Sequence, residues 1–458
     1  MVQDAGYDLD PSVPSGHRPE FFFKARLALA RRVPRGAFFP VGAIVSAFLA
    51  RWHTGNLAVA KRGKRASVVV SRFSLALVLS APLAQAQEPP IKIGVIGPVT
   101  GLGANGMGAS ILGGARVFLA QFQQFGLLLG RRLEIVERDD QSDPKVGLEV
   151  TRELVEREHV VAIIGYGNTG VALPASQYLQ SVKIPLIVSA ATGVAITQQF
   201  EREPENYVFR VAASDSIQPE IILKDLIQRR KFRRIALLHD DSPYGTSGRD
   251  ATLAQFRKYN LAPAVIESFK VGDKEMFNQL RLAQAANADA VICYSLAREA
   301  AMVVNDARIL KWNVAIAGPW GLSQESFLKL AGINSEGSRM PVTFLEDDHN
   351  LRHDTFSAEY KAVNKTQEIP SAIAAAQTYD ALHILTAAIS QANATDGPSI
   401  QRALTHLKSP VTAGAIAIYT SPFTDVDHEA IKQSMVFMGE IRKQRVTFAY
   451  DEEAEHVR

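Results

Sequence analysis

Cysteine is almost absent from this chain: Cys293 is the only one among 458 residues. A single thiol allows no internal disulfide and no zinc site built on paired cysteines. The signatures of common catalytic chemistries are missing as well. No G-x-S-x-G, no H-E-x-x-H and no cysteine with a histidine in local context occurs, so the nucleophile, base and metal arrangements of the hydrolases lack their residues. The ten histidines are scattered, and Asp347-Asp348-His349 with His353-Asp354 reads as a solvated polar run rather than a metal site. Basic excess is absent from the body of the chain. The first 86 residues hold 12 Lys/Arg against 4 Asp/Glu, which leaves 38 basic and 43 acidic residues in the remainder. That remainder carries no footprint for nucleic acid.

What is present begins with an export signal. Lys61, Arg62, Lys64, Arg65 and Arg72 precede an apolar stretch over 73–83, then Ala84-Gln85-Ala86 and the polar Gln87-Glu88-Pro89-Pro90. The stretch is too short to span a bilayer and is laid out as a signal peptide over 61–86, cleaved after about Ala86. A periplasmic location is expected, with no lipid anchor because no cysteine follows the cleavage site. Residues 1–60 are read as an N-terminal extension or a mis-assigned start, the true start lying near Val68 to Val70. The competing reading makes 37–50, behind Arg31, Arg32 and Arg35, a first membrane-associating segment.

From Ile91 onward short apolar runs alternate with amphipathic ones. Segments 91–96, 133–137, 160–164 and 185–189 are predicted as buried strands. Asp143-Pro144 opens a helix, with Asp as N-cap and Pro in the first turn. The pattern restarts after Arg210, with strands over 234–239, 264–269, 289–294 and 314–317 between helices near 244–259, 274–286 and 297–310. Helices then dominate 351–407, with strand-like runs near 415–420 and 434–441. This alternation predicts an α/β fold of two doubly wound lobes, each a parallel sheet covered on both faces.

Gly101-Leu102-Gly103-Ala104-Asn105-Gly106 has the letters of a dinucleotide fingerprint. The turn before it is too long, and no acidic residue stands about 20 positions on, so a ligand-approach loop is the better reading. More telling are small and polar residues at strand ends. Tyr166-Gly167-Asn168-Thr169-Gly170 and Ser189-Ala190-Ala191-Thr192-Gly193 each follow a strand. Ligands of open α/β sheets sit outside the carboxyl ends of strands, and helix N-termini there suit a carboxylate. Each loop alone could be no more than a helix cap; two in succession favour a site.

At these residues the chain resembles the periplasmic leucine/isoleucine/valine-binding proteins of the type I periplasmic-binding fold. The resemblance runs from Ile91 to about Gly439. It rests on Ile91-Lys92-Ile93-Gly94-Val95-Ile96 with Thr100-Gly101, on Asp139-Asp140-Gln141-Ser142-Asp143-Pro144, and on Ile164-Gly165 with Pro174-Ala175-Ser176. Ala190-Ala191-Thr192, Phe209-Arg210 with Asp215, His239-Asp240 with Tyr244-Gly245, and Gly318-Pro319 complete it. It implies two lobes joined by a three-strand hinge, with crossings near 211–214, 339–343 and 424–433. Lobe 1 would comprise 91–212 and 342–425, lobe 2 213–341 and 426–450. Carried onto matching positions, Thr169 and Thr192, with the backbone of Ala190 and Gly170, would hold a ligand carboxylate, and Asn168 and Ala191 would belong to the same ligand-binding set. Tyr244 would close over it from lobe 2, and Asp215 would stand near the hinge-side wall.

Three departures matter. The resemblance implies a glutamate after Gly-Pro to pair with a ligand ammonium, and Trp320 stands there instead. The first-lobe disulfide positions hold Ser142 and Asn168, and a loop tyrosine is replaced by Met107. A buried ammonium without a carboxylate is very costly, so an aromatic or other non-amino acid is expected over an α-amino acid.

The resemblance further implies a non-enzymatic receptor, without cofactor or metal, expected as a monomer. Its partners would be the small carboxylate and the membrane permease and ATPase subunits of an ABC importer. A branched-chain or other hydrophobic amino acid is the alternative ligand, and a ligand sensor the alternative role. The leader reading predicts that the exported protein begins at about Gln87, by N-terminal sequencing; a mature end upstream of Lys61 would refute it.

Overall fold

The computed structural model describes residues 88–104, 106–346 and 350–457. The expected leader and extension, Asn105 and Asp347-Asp348-His349 lie outside them. Two sheets organise the fold. The first contains β1 (Ile91–Gly97), β2 (Leu133–Asp139), β3 (Ala162–Gly165), β4 (Leu186–Val188) and β5 (Val208–Arg210). Its order is β2-β1-β3-β4-β5, and every pairing is parallel. The second contains β6 (Ile235–Asp240), β7 (Ile266–Phe269), β8 (Ala290–Tyr294), β9 (Ala315–Ala317), β10 (Arg339–Val342), β11 (Phe437–Arg442) and β12 (Arg445–Phe448). Its order is β12-β11-β10-β9-β8-β6-β7, parallel from β7 to β10 and antiparallel across β10, β11 and β12.

Every residue of β3, β4, β5, β6 and β8 is buried. Strands of that kind need helices on both faces, which is why their sequences are nearly continuous Val, Ile, Leu and Ala. The helical return packs on the first sheet's side: Ala372–Ala392 and Leu351–Asn364 lie against the Met107–Phe125 helix. Gly113 and Gly114 permit that approach, since a Cβ at either would collide with the Tyr360 ring or the Ala375 carbonyl. Asp143 caps the Pro144–Glu156 helix as its position implies, accepting from the Lys145 and Val146 N–H groups.

One sequence expectation fails at the C-terminal end, and one strand there was not foreseen. Residues 415–420 form no strand; a lone bridge joins Val411 and Tyr419. The buried carboxylate of Asp380 takes the N–H groups of Ala415 and Ile416 and the Tyr419 hydroxyl, which removes donors that a ladder would use. The 434–441 run becomes β11, but its partner β12 was not anticipated. The two-residue turn between them has Lys443 and Gln444 both at positive φ, the type I′ geometry normally advertised by Asn-Gly.

The chain passes between the sheets at 211–217, after β10, and at 424–436. The first and third passages pair directly: Arg210 N–H donates to His428 O (2.9 Å) and Ala430 N–H to Arg210 O (2.9 Å). Phe209 and His428 rings stack there at 4.2 Å. The Arg210 side chain is 1% exposed and donates to Glu429 Oε2 (2.8 Å), Glu429 Oε1 (2.5 Å), Gly193 O (2.8 Å) and Ser214 Oγ (2.9 Å). Removing the Glu429 carboxylate would leave a buried cation under-satisfied. Glu429→Ala is expected to lower the free energy of urea unfolding by about 2–4 kcal/mol, and Glu429→Gln by less. Equal midpoints for Glu429→Ala and wild type would show that the pair is dispensable.

Candidate functional site

A cavity of about 400 Å³ lies between the carboxyl ends of the two sheets. Its first wall is the loop after β1 and the segments opening the Pro144–Glu156 and Thr169–Ser181 helices, with Ala190 and Thr192 after β4. The second wall opens the Pro243–Lys258 and Ala297–Ile309 helices and adds Trp320 and Gln324. The walls also touch. A Cβ on Gly170 would come within 3.3 Å of Pro243 Cγ, and Val194 N–H donates to Ser247 Oγ at 3.2 Å.

Helix N-termini therefore converge on one space, but they are not equivalent. The Pro243–Lys258 helix is capped by Ser242, whose hydroxyl accepts from Gly245 N–H. The Ala297–Ile309 helix carries Glu299 in its first turn, and the Pro144–Glu156 helix is capped by Asp143. The Thr169–Ser181 helix has neither a side-chain cap nor an acidic residue in its first turn. Its positive end is left uncompensated, the arrangement that attracts an anion.

Hydroxyls surround that end. Thr169 Oγ1 accepts from Gly193 N–H (3.2 Å), so its own proton is free to point at the cavity. Gly193 is required here, because a Cβ would lie 2.3 Å from Thr169 Cγ2. Thr192 is 1% exposed and lines the cavity. Burial raises the Asp215 pKa, and the nearby Thr192 hydroxyl, without a well-formed hydrogen bond, offsets a part of that rise. Asn168 Oδ1 is likewise buried and unpartnered. Buried polar atoms without partners are rare and point to a missing guest or water. Among the described residues no Lys or Arg lines the cavity, and the only acidic one that does is Asp143 at the exposed mouth.

Of the residues singled out from sequence, Asn168, Thr169, Gly170, Ala190, Thr192, Tyr244 and Trp320 come together here. Ala191 and Asp215 do not line the space. Ala191 follows the strand-like alternation of β4 and turns its methyl into the core opposite Ala190. Asp215 is fully buried behind Thr192; its N–H donates to Thr192 O (2.9 Å), and Tyr294 Oη donates to its Oδ1 (2.5 Å). Burial pushes the Asp215 pKa up from the usual carboxylate range. Met107 lines the cavity, and Ser142 and Asn168 meet across Gly103.

Ser295, Leu296 and Ala297 were missed, although the strand-end rule applied to β3 and β4 would have found them after β8. Gln324 carried no sequence signal. Of the glycine-rich loop, Leu102 and Gly103 line the cavity, while the turn before it is held by the Asp139 carboxylate, which accepts from the Val99 and Thr100 N–H groups and the Thr100 hydroxyl. Among the described residues no His, Cys, Asp and Glu cluster is arranged to hold a metal, and no helix is long and apolar enough to cross a membrane.

Residues 90–444 match the sequence profile of a family described as periplasmic binding protein. A Leu/Ile/Val-binding protein homolog of Brucella melitensis is 25% identical over 338 residues, covering 74% of this chain and 89% of its own. A leucine-, isoleucine-, valine-, threonine-, and alanine-binding protein of Pseudomonas aeruginosa is 26% identical over 316 residues, covering 69% and 82%. Among solved structures, a Streptococcus pneumoniae branched-chain amino acid transporter substrate binding protein in complex with isoleucine superposes with TM-score 0.67 at 24% identity. It covers 78% of this chain and 97% of its own. A Rhodopseudomonas palustris ABC transporter solute binding protein in complex with benzoate gives TM-score 0.67 at 19% identity, covering 79% and 95%. These likenesses establish the type I periplasmic-binding fold.

The approach of Gly170 to Pro243 yields a test. Gly170→Val would place methyls against Pro243 and cost this arrangement about 1–3 kcal/mol of overpacking. Small-angle scattering should then give a larger radius of gyration than wild type; an unchanged radius would count against a tight meeting of the two helix ends.

Proposed function

Because the chain belongs to the periplasmic binding protein family, we propose that it is the solute-binding component of an ABC importer whose ligand is a small carboxylic acid lacking an α-ammonium group. The observation that carries the reading is the uncompensated N-terminus of the Thr169–Ser181 helix facing a cavity with no side-chain counter-charge for an ammonium. Thr169, Thr192 and the N–H groups of Thr169 and Gly170 supply donors for the carboxylate. Asp143 is a poor ammonium partner, since its Oδ1 already takes Lys145 N–H (2.7 Å) and Val146 N–H (3.2 Å). Trp320, 7% exposed, gives the body of the ligand an apolar wall after Gly318-Pro319.

Binding would proceed on the first wall, with the second swinging in about the three passages to exclude water. The two-walled complex would then present its outer faces to a permease with cytoplasmic ATPases. The known fold accommodates both isoleucine and benzoate in other proteins, so the lining residues must decide the ligand here. A hydrophobic amino acid is the second reading, favoured by the names of the relatives.

Titration calorimetry against leucine, isoleucine and benzoate separates the two. Benzoate is expected to bind and the amino acids to bind at least about 100-fold more weakly, the cost of an unpaired buried ammonium. Leucine binding in preference would overturn the reading. Trp320→Glu should weaken benzoate by about tenfold or more through like-charge repulsion; an unchanged affinity would place the residue outside the ligand's reach.

A further inference from the structure

We infer that the ligand is a monocarboxylic acid carrying a second, uncharged hydrogen-bonding group, and that Gln324 selects for that group. The inference rests on the function proposed above and narrows its substrate class. Gln324 follows the 3-10 turn Trp320–Ser323, is 4% exposed and lines the cavity. Its carboxamide serves no local structure. It stands at the N-cap position of the Glu325–Ala331 helix but makes no capping bond. Its Nε2 meets only the Met107 thioether at 3.9 Å, and no described residue donates to its Oε1. A thioether is a weak acceptor, and a buried carboxamide normally finds both donors and acceptors.

Its surroundings are apolar: Met107 and Trp320 are both largely buried beside the same space. A purely apolar ligand would seal the carboxamide against hydrocarbon, whereas a hydroxyl, keto or amide group would satisfy it. Sites built to hydrogen-bond a ligand group discriminate strongly against analogues that lack it.

The charge of the second group follows from what stands behind this wall. Asp240 accepts from Ser242 N–H (3.0 Å) and Leu296 N–H (3.2 Å), and Glu299 from Gly272 N–H (2.9 Å). Ser242 and Leu296 themselves line the cavity. Buried acids on that side, with no Lys or Arg lining the cavity, disfavour a second carboxylate. Both Asp240 oxygens and one Glu299 oxygen already accept N–H groups, and neither residue lines the cavity to meet an ammonium. A neutral hydrogen-bonding group is what remains.

The test is titration calorimetry of the exported protein with benzoate, 3-hydroxybenzoate, 4-hydroxybenzoate and benzene-1,4-dicarboxylate. At least one hydroxybenzoate should bind about tenfold or more tightly than benzoate, and the dicarboxylate more weakly than benzoate. In Gln324→Met, close in shape but without a carboxamide, the ratio of hydroxybenzoate to benzoate affinity should fall to about threefold or less. Hydroxybenzoates no tighter than benzoate in the wild type, or a preference that survives Gln324→Met, would overturn the inference while leaving the proposed function standing. If the variant fails to fold, the wild-type ranking of the four acids still decides. Loss of all acid binding alongside tight leucine binding would instead overturn the proposed function itself.

Discussion

The guanidinium of Arg210 is the constraint on which the rest of this structure depends. A cation 1% exposed must have its hydrogen bonds completed inside the protein. Arg210 completes them by gathering Glu429 from the third passage, Ser214 from the first and the Gly193 carbonyl from the loop after β4. Ser214 lies 4 residues from Arg210 and Gly193 17, but Glu429 is 219 residues away. One side chain thus fixes both the seam between the two sheets and the loop that carries Thr192. Thr197 joins the same set, donating to Glu429 Oε1 at 2.6 Å, so the carboxylate is held from two sides.

That fixed loop determines what the first wall can do. Gly193 is held through its carbonyl by Arg210 and through its N–H by Thr169 Oγ1. Thr169 is the first residue of the helix whose positive end is uncompensated. The anion-attracting end and the passage between the sheets are therefore coupled through two hydrogen bonds and one residue without a side chain. The opposite wall has the contrary character, each of its long helices having a hydroxyl cap or an acid in its first turn. Opposed walls of unequal electrostatic character would orient a guest, and under the proposed function its carboxylate would lie on the first and its uncharged body on the second.

Much of this was legible in the sequence, for reasons that differ between elements. Strands β1 to β4 and β6 to β9 were readable as apolar runs, and β3, β4, β6 and β8 are buried at every residue; the three-residue β5 was too short to register. The first wall was readable because strand-end loops in open α/β sheets have a fixed spatial meaning. Ala191 was misplaced for want of register: the loop after β4 keeps the two-residue alternation, so only Ala190 and Thr192 face the cavity. Asp380 and the 415–420 run were illegible because a buried carboxylate recruiting backbone donors leaves no periodic trace. The hairpin to β12 was hidden because Lys443 and Gln444 adopt positive φ without the usual glycine or asparagine.

Gln324 marks the limit of such reading, and shows why the pocket must be considered as a set. Met107, Trp320 and Gln324 lie far apart in the chain, and each looks ordinary alone. Together they line the cavity with a thioether, an indole and a neutral carboxamide, which combines hydrogen-bonding capacity with the absence of charge. A negative side chain after Gly318-Pro319 would add to Asp215, Asp240 and Glu299, three acids already buried on that side whose burial raises each pKa. A further buried carboxylate there would need a cation of its own from the ligand. Without one, a neutral carboxamide is the polar group this wall can bury at least cost.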